Sequence, residues 1–253
     1  MKNVWIAVGL VMVATCCEAQ SPPGEARYVN SAAYPRGESA AVWRSLGADY
    51  VRKAVREKTL DRDPAWNGRA DAVMTAVASA AATLYPRFDK SAWRVLLIDD
   101  FGHGAVAFPG GTLLVDAKFV RQLKLTDDEL ALVFAHEVAH VVADHPSEKL
   151  SFMAEYVGRE KAPTARSALL EFFAHDYYAE VFQPTALLQE READAIGATI
   201  LCASGFDARR SLELFDKLSR LERGETGRAA GTHDAAQVRK RAVAAVIDAA
   251  RKP

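Results

Sequence analysis

The chain has 253 residues, of which 50% are hydrophobic and 26% are charged, and its formal net charge at pH 7 is −1. This length and apolar content suffice for one domain with a sizeable hydrophobic core. The balanced charge excludes the strongly basic surface that is typical of nucleic-acid-binding proteins, so we expect no nucleic-acid partner.

The first part of the chain, residues 1–19, has the pattern of a signal peptide. Its apolar stretch at 4–15 is too short for an ordinary transmembrane helix, and Ala19 offers a small residue at which cleavage would occur. The alternative is a lipid anchor, because the four residues that end at Cys16 resemble a degraded lipobox. We therefore expect an exported, periplasmic protein that contacts a membrane only if it is lipid-anchored through Cys16 or Cys17.

Residues 20–37 are rich in Pro, Ser, Gly and Ala, which predicts a linker before a single domain at 38–253. In that domain, hydrophobic periodicity predicts two helices, then three strands, then helices to the end of the chain. The first two helices are predicted at 38–58 and from Pro64 to Leu84, and the strands at 93–98, 105–108 and 112–115. The later helices are predicted at 116–124, 126–144, 147–157, 165–182, 185–203, 207–222 and 233–250.

The helix predicted at 126–144 contains His136-Glu137-Val138-Ala139-His140, which reads HExxH. Two histidines four residues apart lie one turn apart on the same helical face, where both imidazoles can bind one Zn²⁺ with Glu137 beside its open position. Thr126-Asp127-Asp128-Glu129 is a capping box that begins the helix, and His145 before Pro146 is predicted to end it. Apolar residues recur at helical spacing, so the helix should be buried, and a buried imidazole needs a partner such as a metal.

A catalytic zinc site needs a third protein ligand. The metzincin spacing would require glycine and histidine where this chain has Ala143 and Pro146. Glu160 has the spacing of a thermolysin-type glutamate, but it lies in a stretch interrupted by Gly and Pro. Glu190 is the stronger candidate, because Asp194 lies one turn further along the same helical face. From there Asp194 can accept a hydrogen bond from the outer N–H of a ligand histidine.

Together, HEVAH and the later EREADAIG resemble the HtpX-like zinc peptidases, family forty-eight of the metallopeptidases, which include the CAAX prenyl proteases. The similarity covers roughly residues 90 to 245, including Ala107-Phe108-Pro109-Gly110-Gly111 and the pair Thr232-His233 with Arg239 after it. The resemblance implies a zinc metalloendopeptidase of the gluzincin type with one Zn²⁺ per chain. Its implied residues are the ligands His136, His140 and Glu190, the base Glu137 and the supporting Asp194.

The resemblance also implies the fold and the substrate. The fold is expected to be α+β, mainly α, with a small β-sheet packed beside the HExxH helix. An unfolded or extended polypeptide is expected to lie along the strand formed by Ala105, Val106, Ala107 and Phe108. His233 is expected to stabilise the tetrahedral intermediate, although Asp234 stands where the family has proline.

An exported member of this family would hydrolyse cell-envelope proteins, in protein quality control. The alternative function is a gated or weakly active zinc-bound scaffold or chaperone-like envelope protein. An intact Glu137 favours the enzyme, since a scaffold has no need of that carboxylate. No protein partner can be named from the sequence.

Three further segments are interpreted structurally. The cluster Arg239-Lys240-Arg241 is interpreted as a solvated helix face. The aromatic segment 172–178 is interpreted as part of a core helix, or alternatively as a lid of the cleft. Cys202, which alone remains after removal of 1–19, is interpreted as a small core residue.

Overall fold

The computed structural model describes residues 33–90, 93–99, 101–102, 104–226 and 233–250, except for the side chains of 222–226 and 233–235. The helices are α1 Arg36–Glu57, α2 Pro64–Leu84, α3 Ala117–Leu123, α4 Asp127–Val142, α5 His145–Val157, α6 Ala165–Ala174, α7 Asp176–Ala203, α8 Ala208–Ser211, α9 Glu213–Thr226 and α10 His233–Ala250. The strands are β1 Arg94–Ile98, β2 Ala105–Phe108 and β3 Thr112–Asp116. The predicted fold class, α+β and mainly α, is confirmed.

The three strands form one small sheet in the order β1-β3-β2. Strand β3 is parallel to β1 and antiparallel to β2, and Gly110 and Gly111 make the tight turn from β2 to β3 with positive φ angles of 97° and 90°. Since side chains alternate along a strand, Leu113 and Val115 belong to one hydrophobic core and Leu114 to another. The sheet therefore separates two cores, and β2 lies at its edge.

Helix α4 runs through the larger core, where it packs against α2, α7 and β2. The predicted capping box is present: the backbone N–H of Thr126 donates to Glu129 Oε2 at 2.7 Å, and the backbone N–H of Glu129 donates to Thr126 Oγ1 at 3.3 Å. Leu130, Phe134 and Val138 are completely buried. The prediction of a capped and buried helix at this position is confirmed.

The chain reverses sharply between α4 and α5, but not at the predicted residue. His145, as the residue before a proline, was expected to leave the helical region, yet it is already the first residue of α5. The turn lies at Asp144 instead, which has a φ of 62°. Pro146 is tolerated in the first turn of α5 because that turn has no intrahelical partner for an N–H. The reversal brings the start of α5 back beside the end of α4.

The predicted break between the helices at 165–182 and 185–203 is in the wrong place. Helix α7 is continuous through Pro184, and the break lies at His175, whose backbone is extended. A proline removes one helical hydrogen bond, but Phe182 and Gln189 on either side are buried and hold the helix in place. The helix predicted at 207–222 is likewise two helices, which meet at Leu212.

The N-terminal part of the fold begins before the predicted domain boundary. Helix α1 starts at Arg36, and Tyr34 before it is buried, with its hydroxyl donating to the carbonyl of Ala162. The end of the predicted linker at 20–37 is therefore part of the folded chain. The predicted signal peptide at 1–19 lies outside the described residues. Among the described helices, none combines the length and apolar character needed to cross a membrane.

Helices α4 and α7 approach each other very closely at Gly197. A Cβ atom on Gly197 would lie 3.0 Å from both the Cα and the backbone N of His136. Backbone atoms cannot move aside as a flexible side chain can, so any larger residue would have to push the two helices apart by a few tenths of an ångström.

Replacing Gly197 by alanine should reduce the free energy of unfolding by about 1–3 kcal/mol, because the added methyl group has to push α7 away from α4. Urea unfolding followed by circular dichroism measures this change. Gly68→Ala is the matched control, since a Cβ on Gly68 in α2 would meet nothing within 4 Å and should stabilise that helix by about 0.5–1 kcal/mol. Equal effects of the two substitutions would contradict the close approach.

Candidate metal centre and active site

Three candidate metal ligands come together between α4 and α7. His136 and His140 lie one turn apart on α4, with their Nε2 atoms 3.1 Å apart. Glu190 faces them from the middle of α7, with Oε2 3.3 Å from His136 Nε2 and Oε1 3.5 Å from His140 Nε2. One ligand atom from each residue lies within 4.8 Å of the others. Two imidazole nitrogens and one carboxylate oxygen are a donor set that suits Zn²⁺, so this group could hold a metal ion.

The outer nitrogen of His136 has a carboxylate partner. Asp194 Oδ1 lies 3.0 Å from His136 Nδ1. Asp194 in turn accepts two hydrogen bonds from Arg239 of α10, one from Nε and one from Nη2, both at 2.8 Å. The interpretation of Arg239 as part of a solvated helix face is therefore wrong, because its pairing with the buried Asp194 turns it into the site.

The outer nitrogen of His140 has a different partner, which sequence reasoning missed. His145 Nδ1 lies 2.7 Å from His140 Nδ1. His145 is 3% exposed, and its Nε2 lies 3.5 Å from Glu192 Oε2. In a continuous helix, a residue five positions after His140 would point away from its face. Only the turn at Asp144 brings His145 back, so hydrophobic periodicity carries no signal for this contact.

Glu137 lies between the two ligand histidines and faces the edge strand of the sheet. Its Oε2 accepts a hydrogen bond from the backbone N–H of Ala107 in β2, at 3.0 Å. Burial raises the pKa of Glu137 to about 7, although the charge of His136 and the bond from Ala107 act in the opposite direction. A carboxyl group with this pKa can take up and release a proton near neutral pH, which is what a general base requires.

The two histidines have opposite pKa shifts. Burial acts to lower the pKa of His136, but its hydrogen bonds to Asp194 and Glu190 outweigh burial and raise it to about 10. Burial and the positive charge of His136 lower the pKa of His140 to about 3. Burial acts to raise the pKa of Glu190, but its hydrogen bond to His136 lowers it overall. His136 Nε2 and Glu190 Oε2, 3.3 Å apart, thus lie at ion-pair distance, and each shifts the pKa of the other towards its charged form.

The remaining predicted site residues lie on β2 and α10. Ala105, Val106 and Ala107 are half-buried on the edge strand, whereas Phe108 buries its side chain against Tyr50. His233 is the first residue of α10, and its side chain lies outside the described part of the structure.

In the aromatic segment 172–178, Phe172 is buried, whereas residues 174–177 are exposed. Phe172 is buried in the second core, in edge-to-face contact with Phe182. The ring centres of Phe172 and Phe182 also lie 5.1 Å and 5.4 Å from Nζ of Lys149. For Phe172, the interpretation as a core residue is confirmed.

Residues 64–246 match peptidase family M48 over most of the chain. This chain belongs to that family. The resemblance seen in HEVAH and EREADAIG is thus confirmed, and the HExxH histidines, Glu190 and Arg239 all fall within the matched residues.

Three relatives share about a quarter to a third of their aligned residues with this chain. The mitochondrial metalloendopeptidase OMA1 of Schizosaccharomyces pombe is 31% identical over 157 residues, which cover 60% of this chain and 45% of the relative. The putative beta-barrel assembly-enhancing protease of Vibrio cholerae is 26% identical over 184 residues, 68% of this chain and 37% of the relative. The mitochondrial metalloendopeptidase OMA1 of Arabidopsis thaliana is 26% identical over 162 residues, which cover 60% of this chain and 31% of the relative. The alignments thus cover less than half the length of each relative.

Replacing Asp194 by asparagine should weaken zinc binding by about 10–100-fold, because an amide pairs less strongly than a carboxylate with Arg239 and with the Nδ1–H of His136. Competition with a chromogenic chelator measures the zinc Kd. Asp216→Asn is the control. Asp216 forms an ion pair of the same kind, at 2.7 Å, with Lys240, the residue that follows Arg239 on α10, but it contacts none of the candidate ligands in the described structure. If the Asp194 variant bound zinc as tightly as the wild type, the support of His136 by Asp194 would have no effect on the metal.

Proposed function

We propose that this protein is a zinc-dependent metalloendopeptidase. The observation that carries the proposal is the meeting of His136, His140 and Glu190 around one point, with the carboxylate of Glu137 beside them. A scaffold that only binds a metal needs the three ligands but has no use for Glu137. Membership of the M48 peptidase family supports the same conclusion.

His136, His140 and Glu190 would hold the zinc ion, and each nitrogen ligand already has a partner for its outer nitrogen. A zinc ion held there would supply a Lewis acid that activates water and polarises a peptide carbonyl. Glu137 accepts the proton of the attacking water and passes it to the leaving amine. Asp194, fixed by Arg239, keeps the remaining ring proton of His136 on Nδ1, so that Nε2 has a lone pair for the metal.

The substrate would be an extended polypeptide that pairs with the main chain of β2, along Ala105, Val106, Ala107 and Phe108. The position of β2 at the edge of the sheet supports this, and so does the 3.0 Å contact between Ala107 and Glu137, because a peptide on this edge would pass beside the base. His233 keeps its proposed role in stabilising the tetrahedral intermediate. The support for this role is the family resemblance of Thr232-His233 with Arg239 after it.

Replacing Glu137 by glutamine should leave zinc content unchanged and reduce the cleavage of quenched peptides or casein by at least about 10²–10⁴-fold, because the amide cannot accept a proton. Metal analysis and kcat/KM on the full chain measure both quantities. Glu155→Gln, an exposed glutamate on α5, is the matched control and should retain full activity. Zinc in both proteins with cleavage by neither would favour the gated or scaffold alternative, and cleavage by the Glu137 variant would refute the assigned base.

We also propose that the protein is exported to the periplasm and acts on cell-envelope proteins in quality control. The signal-peptide pattern at 1–19 supports export. The similarity to a Vibrio cholerae protein named for beta-barrel assembly supports an envelope substrate, while the other two relatives are named as mitochondrial.

In a bacterial host, the full chain should be found in the periplasmic or membrane fraction. Metabolic labelling with a fatty acid separates the two forms, because only a chain anchored through Cys16 or Cys17 becomes labelled. Substitution of both cysteines by serine is the control that should remove any label. Recovery of the protein from the cytoplasm alone would refute export.

A further inference from the structure

We propose that His145, with Glu192 behind it, is a positioning residue that fixes the ring orientation and the tautomer of the metal ligand His140. The inference depends on the proposed function only in that His140 binds a metal ion. It adds a second support to the centre, on the side opposite Asp194 and Arg239.

The first step concerns the proton of His140. Its Nε2 faces His136 and Glu190, at 3.1 Å and 3.5 Å, so Nε2 is the nitrogen that would bind the metal. A ligand nitrogen needs its lone pair, so a neutral His140 carries its proton on Nδ1. This N–H then points at His145 Nδ1, which lies 2.7 Å away.

The second step fixes the proton of His145. Two Nδ1 atoms at 2.7 Å cannot both carry a hydrogen between them, so Nδ1 of His145 has to accept. A neutral His145 therefore carries its own proton on Nε2. That atom lies 3.5 Å from Glu192 Oε2, an ion-pair distance, and the negative charge of a carboxylate there favours a proton on Nε2.

The third step is that the surrounding structure holds His145 in place. It is buried at the start of α5, directly after the turn at Asp144. Helix α1 holds this turn from the other side: Arg36 Nε pairs with Asp144 Oδ2 at 2.9 Å, and Trp43 Nε1 donates to the carbonyl of Pro146 at 2.9 Å. A ring fixed in this way limits the rotation of its neighbour, so His140 is oriented before any metal binds.

The test measures zinc affinity on the full chain by chelator competition, with zinc alone as the probe. His145→Phe keeps a ring of similar shape but no acceptor, and it should raise the zinc Kd by about 10–100-fold. His145→Asn places an amide oxygen close to the position of Nδ1, and it should restore most of the affinity, to within about fivefold of the wild type. Glu192→Gln should have a smaller effect than His145→Phe.

Two controls separate positioning from general damage to α5. Met153→Ala empties a fully buried position on the same helix and should lower the melting temperature without changing the zinc Kd. In wild-type protein loaded with zinc and labelled with ¹⁵N-histidine, NMR should find His145 protonated on Nε2 and His140 on Nδ1. This second measurement needs no variant that has to fold.

The inference is overturned if His145→Phe binds zinc as tightly as the wild type, if the Phe and Asn variants are equally weakened, or if NMR places the proton of His145 on Nδ1. A wild-type protein that binds no zinc would overturn the metal centre itself, and this inference with it. A wild type that binds zinc but cleaves no peptide would overturn only the proposed activity, so the failures are distinguishable.

Discussion

At Gly197 the backbones of α4 and α7 come within the distance that a single methyl group would occupy, and the candidate site depends on this contact. Glu190, Asp194 and Gly197 follow at intervals of four and three residues, so they lie on one face of α7. The same face that carries Gly197 against His136 thus carries both carboxylates towards the two histidines. A side chain at this position would push the helices apart and lengthen the distances from Glu190 to both histidines. The close contact at Gly197 therefore determines how near the two carboxylates lie to the histidines.

The charges at the centre compensate one another only when all of its parts are present. Ionised groups that leave water need partners, because the cost of burying an unpaired charge is high. Asp194 is paired with Arg239, whose half-buried guanidinium lies beside Glu190 as well. With Zn²⁺ bound, the metal and Arg239 would balance the three carboxylates of Glu137, Glu190 and Asp194. The site is thus built for a cation.

The sequence could predict those parts of the site that depend on spacing within a single helix. The HExxH pair, Glu190 with Asp194, and the Thr126 capping box all depend on spacing within one helix, where geometry is known in advance. His145 depends on a turn at Asp144, and no spacing rule reaches across such a turn. Arg239 was misjudged because composition alone cannot tell a solvated cation from one that meets a buried carboxylate. Pro184 lies in the predicted gap between two helices, but it does not interrupt α7, because tertiary packing outweighs the loss of one hydrogen bond.

The contact between Ala107 and Glu137 links the position of the substrate to the chemistry of the base. On an edge strand, alternate residues direct their N–H and C=O groups outward, and the N–H of Ala107 already meets Glu137. A peptide that pairs with this edge would compete with Glu137 for the same donor. The bond from Ala107 lowers the pKa of Glu137, so its loss would raise that pKa further and make the carboxylate more basic. Substrate pairing along β2 would therefore act on the protonation of the base as well as on the position of the peptide bond.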